Sequence, residues 1–118
     1  MNESANKYDN GKPPLGLIPR RALEEEARVL DFGRRKYGSW NWARGMEWSR
    51  LIDAGLRHIA AFADGENVDQ ESGLSHLAHA RACLGFLLDY EREHPELDDR
   101  RKRPALLSRC PLFPGTAN

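Results

Sequence analysis

The run SHLAHARACLGFLLDYERE, residues 75–93, is apolar on almost every side when wound into a helix. At about 100 degrees per residue, Leu74, Leu77, Leu84 and Leu88 fall on one side, and Ala80, Cys83, Phe86, Leu87 and Tyr90 on the other. A helix with two apolar sides must be covered from two directions, so it has to be the central element of whatever the chain builds. Its predicted span is Ser72 to Glu93, with Pro95 barring continuation.

Two further helices are available to cover it. Pro19, a residue favoured at a helix start, opens a predicted helix that runs to Tyr37 and stops near Gly38. Leu23, Ala27, Leu30 and Tyr37 form one apolar stripe on it, with Ala22, Val29, Phe32 and Gly33 beside them. Ser49 opens a second helix predicted to reach Asp64, with Leu51, Ile52, Gly55, Leu56, Ile59, Phe62 and Ala63 as its apolar stripe. The expected fold class is all-α: three main helices in a bundle completed by oligomerisation, as a homodimer or larger homo-oligomer. Residues 1–18, rich in Asn, Gly and Pro, are expected as an extended arm packing through Leu15, Leu17 and Ile18. Residues 19–94 form the helical domain, and 95–118 a Pro-rich tail or a short helix around Pro104 to Ser108.

A chain of 118 residues is long enough for one core but not two. No stretch approaches the ~18 apolar residues of a membrane span, and the N-terminus lacks the apolar segment of a signal peptide, so the expected location is cytoplasmic and no membrane partner is expected. Cys83 and Cys110 have no metal or redox spacing and are expected as free thiols. Lys plus Arg equals Asp plus Glu at 18 each, which gives no overall field to attract nucleic acid. Arg100, Arg101, Lys102 and Arg103 are read as a solvated basic cluster.

Against this frame several polar residues sit out of place. Glu25 and Glu26 fall within or at the edge of the first helix's apolar arc. The loop GSWNWARGMEW carries three tryptophans, suited either to pinning the loop on the core or to stacking on a nucleobase. Asp53 and Arg57 lie one turn apart on the second helix, as an exposed pair would, and His58 follows them. A short acidic loop supplies Glu66, Asp69 and Glu71, and His76 and His79 come directly after it. Carboxylates from several helices of a bundle can hold Mg²⁺ or Mn²⁺. The histidines fit a satisfied buried pair, contact with a phosphate, base or metal-bound water, or ligation of zinc, although neither HExxH nor a cysteine pair accompanies them. Cys83, mid-helix among apolar residues, is a poor nucleophile, and no Gly-x-Ser-x-Gly, Walker loop or dinucleotide fingerprint occurs.

In order along the chain, KYDNGKPPLGLIP, ALEEEARVLDFGRRKYGSWNW, SRLIDAGLRHIAAFADGE and DQESGLSHLAHARACLGFLL resemble the N-terminal domain of the dATP/dGTP diphosphohydrolases of tailed phages and prophages, over about residues 7–90. The resemblance implies a purine nucleotide partner and, through similarity to MazG-like all-α enzymes, release of pyrophosphate from a triphosphate with a divalent ion. Those enzymes pair an E-x-x-E on one helix with an E-x-x-D on the next, whereas this chain has His76-x-x-His79 on its last helix. The positions matching the family's motifs are Lys12, Glu25, Lys36, Tyr37, Asn41, Trp42, Ser49, Arg50, Asp53, Arg57 and His58, and then Glu66, Asp69, Glu71, His76 and His79. The resemblance implies catalytic work for Glu25, Asp53, Glu71, His76 and His79, and metal contacts for Glu25, Glu66, Asp69 and Glu71. Lys12, Lys36, Arg50 and Arg57 would meet phosphate, and Trp40 or Trp42 the base. Two outcomes are expected of such a pocket: hydrolysis, or capture of a nucleotide or nucleotide signal without turnover. A helical adaptor whose polar residues satisfy one another is the third reading.

Overall fold

The computed structural model describes residues 4–102. Three α-helices carry the fold: α1, Arg20–Tyr37; α2, Trp48–Ala63; and α3, His76–Glu93. Short 3-10 turns at Leu15–Leu17, Asn41–Arg44 and Pro95–Leu97 complete it. The described residues contain no strand, only an isolated bridge between Val68 and Ser75. No helix among them is long and apolar enough to cross a membrane.

Both α1 and α2 pack on α3, which is central as expected, but of its two apolar sides the one carrying Leu77, Leu84 and Leu88 is left uncovered among the described residues. Close approach is possible because α3 buries small residues, Ala78, Ala80, Ala82 and Cys83. A Cβ at Gly55 of α2 would stand 3.6 Å from the Cys83 Cβ, ordinary contact between two closely packed rods. One core group joins Trp48, Leu51, Cys83 and Tyr90, flanked by Trp42, Met46 and Leu97. A second joins Val29 to Ala78 and Ala82, and Phe86 packs against both groups.

Helix boundaries match the sequence reading closely for α1 and α2. Pro19 caps the first, and the second begins at Trp48, one residue before Ser49. The start of α3 is a correction: Ser72 is not its first turn. The Ser72 and Gly73 backbone N–H groups are taken by the Asp69 side chain and carbonyl, and Gly73 has φ 72°, so 69–74 closes as a turn. Ser75 then caps the helix, its hydroxyl accepting from Leu77 N at 3.1 Å.

The apolar stripes divide differently from the expectation as well. On α1, Val29 is buried while Leu23, Leu30 and Tyr37 are exposed. Leu15 and Leu17, expected to anchor the N-terminal arm, are 70% and 81% exposed. Leu56 and Ile59 on α2 and Leu77, Leu84 and Leu88 on α3 also face outward. The expected short helix around Pro104 to Ser108, and Cys110, lie outside the described residues.

The tryptophan loop is pinned to the core, the first of its two readings. The Trp48 indole N–H donates to the His94 carbonyl, Tyr90 OH donates to the Trp42 carbonyl, and Trp42 stacks on Phe86 with centroids 4.7 Å apart. Tyr90 is fully buried, and His94 Nε2 bonds the Ala43 carbonyl. Gly45 turns the chain back at φ 95°, where a Cβ would meet Leu97 Cδ1 at 2.7 Å. Gly38 has nearly the same backbone, φ 93°, but a Cβ there meets nothing within 4 Å. Gly38→Ala should therefore cost only the backbone strain of an unfavourable φ, about 1–3 kcal/mol. Gly45→Ala should cost more, because the Leu97 side chain and the His94 ring, 3.1 Å from the added Cβ and held by the Ala43 carbonyl, must both give, and urea unfolding of the two variants compares them directly.

Candidate functional site

Three histidines from two helices meet beside the loop at residues 64–75. On α2, His58 follows Leu51 and Gly55 at spacings of four and three, so it lies on the buried stripe of that helix. His76 and His79 occupy the first turn of α3. His58 Nδ1 lies 2.8 Å from His76 Nδ1, and the His58 ring stacks on His79 with centroids 4.5 Å apart and planes 9° apart. His76 is buried, and its Nε2–H donates to Glu66 Oε1 at 2.9 Å. His79 Nε2 and the Ser72 hydroxyl share a hydrogen bond of 2.7 Å.

The loop is fixed by its own backbone. Asp69 N donates to the Leu74 carbonyl and His76 N to the Asn67 carbonyl. Ser72 N donates to Asp69 Oδ2 at 2.9 Å. Among the described residues one group of potential metal ligands forms: His58, Asp69 and His76, with one ligand atom from each lying within 4.8 Å of the others. The set is two imidazole nitrogens and one carboxylate oxygen.

Electrostatics act on His58, His79 and Asp69. Burial pushes the His58 and His79 imidazoles down from the ordinary 6.5, and the positive charge each neighbouring imidazole would carry adds to the shift at His58. Burial pushes the Asp69 carboxyl up, but hydrogen bonding from Ser72 and the adjacent imidazoles outweigh it and hold the group below 3.8. The result at neutral pH is an anionic Asp69 carboxylate beside the neutral rings of His58 and His79. Burial pushes the Cys83 thiol up, so it stays protonated and unreactive in the core.

The structure brings some of the sequence-derived residues together and separates others. His58, Glu66, Asp69, His76 and His79 share this one locus. Lys36 approaches it from α1, paired with Glu71 and 5.9 Å from the centroid of Phe32, whose ring meets His79 edge-on. Tyr37 is exposed, 5.2 Å below the same ammonium. Glu25 instead pairs with Arg28 at 3.6 Å, and Glu26 reaches across to Arg81 of α3 at 3.0 Å. Glu25, Glu66, Asp69 and Glu71 therefore form no common carboxylate cage among the described residues, because three of the four are engaged with different partners.

Asp53 and Arg57 are exposed and form no ion pair with each other among the described residues. Arg50 lies 4.0 Å from Glu47, Ser49 is bound by Asp99, and Lys12 is exposed in the N-terminal arm. Asn41 begins the 3-10 turn that carries Trp42. Trp40 is 72% exposed, in the left-handed region at φ 61°, with its ring 5.9 Å from Trp42. Two participants were not singled out in the sequence, Ser72 and Phe32. Asp69-x-x-Ser72 was a legible signal for a side-chain-bonded turn, whereas Phe32 was read only as part of an apolar stripe.

Below pH 6.5 an unfolded chain would protonate His58 and His79 before the folded one does, so these groups make folding less stable as pH falls. His94 acts in the opposite sense: the Ala43 carbonyl and Glu96 raise its pKa, so its contribution is present below 6.5 and fades as pH rises through its folded value. Between pH 7 and 5, His79→Gln should flatten the fall in urea midpoint and His94→Gln should steepen it.

The family model described as dATP/dGTP diphosphohydrolase, N-terminal, matches residues 2–100. A protein of Salmonella phage PMBT28 named dATP/dGTP diphosphohydrolase is 45% identical over 95 residues, covering 80% of this chain and 32% of its own length. The chain thus spans about a third of that curated relative. No solved structure matches.

Proposed function

The chain belongs to the family of dATP/dGTP diphosphohydrolase N-terminal domains, and from that premise we propose that it binds a purine deoxynucleoside triphosphate and takes part in converting it to the monophosphate and pyrophosphate. The observation that carries the reading is the convergence of His58, Asp69, His76 and His79 in one locus, with Lys36 approaching beside His79. Neutral imidazoles next to a carboxylate are suited to take a proton from water, and an ammonium at the rim is suited to a phosphate oxygen. In that reaction water adds to phosphorus, the bridging P–O bond between the α and β phosphates breaks, and pyrophosphate leaves with the negative charge. Lys36, exchanging Glu71 for phosphate, would counter that charge. Mg²⁺ or Mn²⁺ would enter with the triphosphate, bound largely by the phosphate oxygens, and would neutralise their charge. From His79 to Phe86, which stacks on Trp42, is about 10 Å along α3, and the exposed Trp40 beside Trp42 offers a face on which a base would stack.

Incubating the purified chain with each of the eight common triphosphates and Mg²⁺ or Mn²⁺, and measuring pyrophosphate, tests this. Release from dATP or dGTP is expected, with Lys36→Ala lowering kcat/KM by about tenfold or more, the scale of one lost charged hydrogen bond. No product from any triphosphate across a metal titration would remove hydrolysis by this chain.

A second reading, capture without turnover, is favoured by a specific observation: Glu25, Glu66 and Glu71 are all engaged with protein partners. Calorimetry with recovery of intact nucleotide distinguishes it. We also propose a homodimer or larger homo-oligomer, supported by the outward-facing Leu56, Ile59, Leu77, Leu84 and Leu88. Light scattering should give at least twice the 13.4 kDa chain mass, and a monomer at micromolar concentration would refute it.

A further inference from the structure

The expected ion for a phosphate-handling site is hard and oxygen-seeking, yet the donors gathered in this structure are mostly nitrogen. His58 Nδ1 and His76 Nδ1 share a hydrogen bond of 2.8 Å, with an Asp69 oxygen in the same 4.8 Å group. Adjacent ligand atoms on a shared ion, each bound at ~2.1 Å, lie about 3.0 Å apart at a right angle and about 3.4 Å at the tetrahedral angle, so an ion displacing the shared proton needs these two nitrogens to part by only roughly a few tenths of an ångström. His76 Nε2 is engaged by Glu66, so Nδ1 is the ring nitrogen turned toward His58. A carboxylate behind the far nitrogen of an imidazole is the arrangement that orients metal-binding histidines and raises their basicity. His58 is held flat against His79, and Asp69 is held by Ser72 N, so the other two donors are fixed as well.

We infer that His58 Nδ1, His76 Nδ1 and an Asp69 carboxylate oxygen form a binding site for one borderline divalent transition-metal ion, of the Zn²⁺, Co²⁺ or Mn²⁺ type, and discriminate against Mg²⁺. Two imidazoles and one carboxylate suit such ions, whereas Mg²⁺ prefers oxygen throughout. Three protein donors leave coordination positions for water or a phosphate oxygen, as in catalytic rather than closed structural sites. Glu66 is a positioning residue that acts through His76. The inference deepens the functional reading above by naming the ion held at the same locus, and it concerns metal binding without nucleotide.

The test uses the whole chain, stripped with a chelator and dialysed against Zn²⁺, Co²⁺, Mn²⁺ or Mg²⁺ alone, with bound metal measured by plasma mass spectrometry. One Zn²⁺ or Co²⁺ per chain is expected, with visible d–d bands for Co²⁺ and Mg²⁺ binding at least about 100-fold weaker. His58→Gln and Asp69→Asn should each abolish the Co²⁺ bands while far-ultraviolet circular dichroism stays helical. Glu66→Gln should keep the site but weaken it about 10–100-fold, and Asp31→Asn, whose carboxylate is held by Arg34 and Arg35, should change nothing. Should His58→Gln unfold the chain, Asp69→Asn alone decides. No uptake of any transition ion, Mg²⁺ binding as tight as Co²⁺, or Co²⁺ bands that survive Asp69→Asn would overturn the inference. Loss of nucleotide hydrolysis with these metal results intact would refute only the enzymatic reading.

Discussion

Small side chains along α3 are the condition on which the rest of the structure depends. Ala78, Ala80, Ala82 and Cys83 are all buried, so α1 and α2 can both approach one rod closely. Larger residues there would hold the outer helices away, and ring-to-ring contact between His58 of α2 and His79 of α3 requires a short interhelical distance. The candidate site is therefore a consequence of packing at the N-terminal end of α3. At the other end, Tyr90 and Trp48 form one core group with Leu51 and Cys83.

The loop between α2 and α3 converts that proximity into geometry. A tight turn closed by Asp69 and Ser72, and the bridge from Val68 to Ser75, bring the chain back so that α3 begins at His76. The same turn places the Asp69 carboxylate near the imidazoles. One local structure thus sets the helix start, the orientation of His76 through Glu66, and the position of the acid. Among the described residues no buried side-chain nitrogen or oxygen lacks a hydrogen-bond partner.

Charged residues along the chain fall into two physical groups. Arg34 and Arg35 with Asp31, and Arg28 with Glu25, are local pairs on exposed helix surface, where ion pairs contribute little. Glu26 with Arg81 and Lys36 with Glu71 instead join distant parts of the chain and tie α1 to α3 and to the loop before it. The same residue types appear in both groups, so composition could not separate them. Periodicity did so for Glu26, whose position inside an apolar arc proved to be a half-buried contact across helices.

Sequence alone determined the three helices, the central place of the last one and the family, because a 3.6-residue repeat and local caps are written in neighbouring residues. It also showed that His76, His79 and the acidic loop belong at one end of α3. Which apolar stripe is buried was not legible: Leu23 and Leu30 are as hydrophobic as Val29, and only the docking of α1 on α3 leaves them outside. Nor was the pairing of His58 with His76, although the Leu51–Gly55–His58 spacing placed the ring on a buried face. Eighteen residues separate those two nitrogens along the chain, and a contact of that kind is set by the crossing of two helices and the closure of the loop between them, which no local pattern encodes.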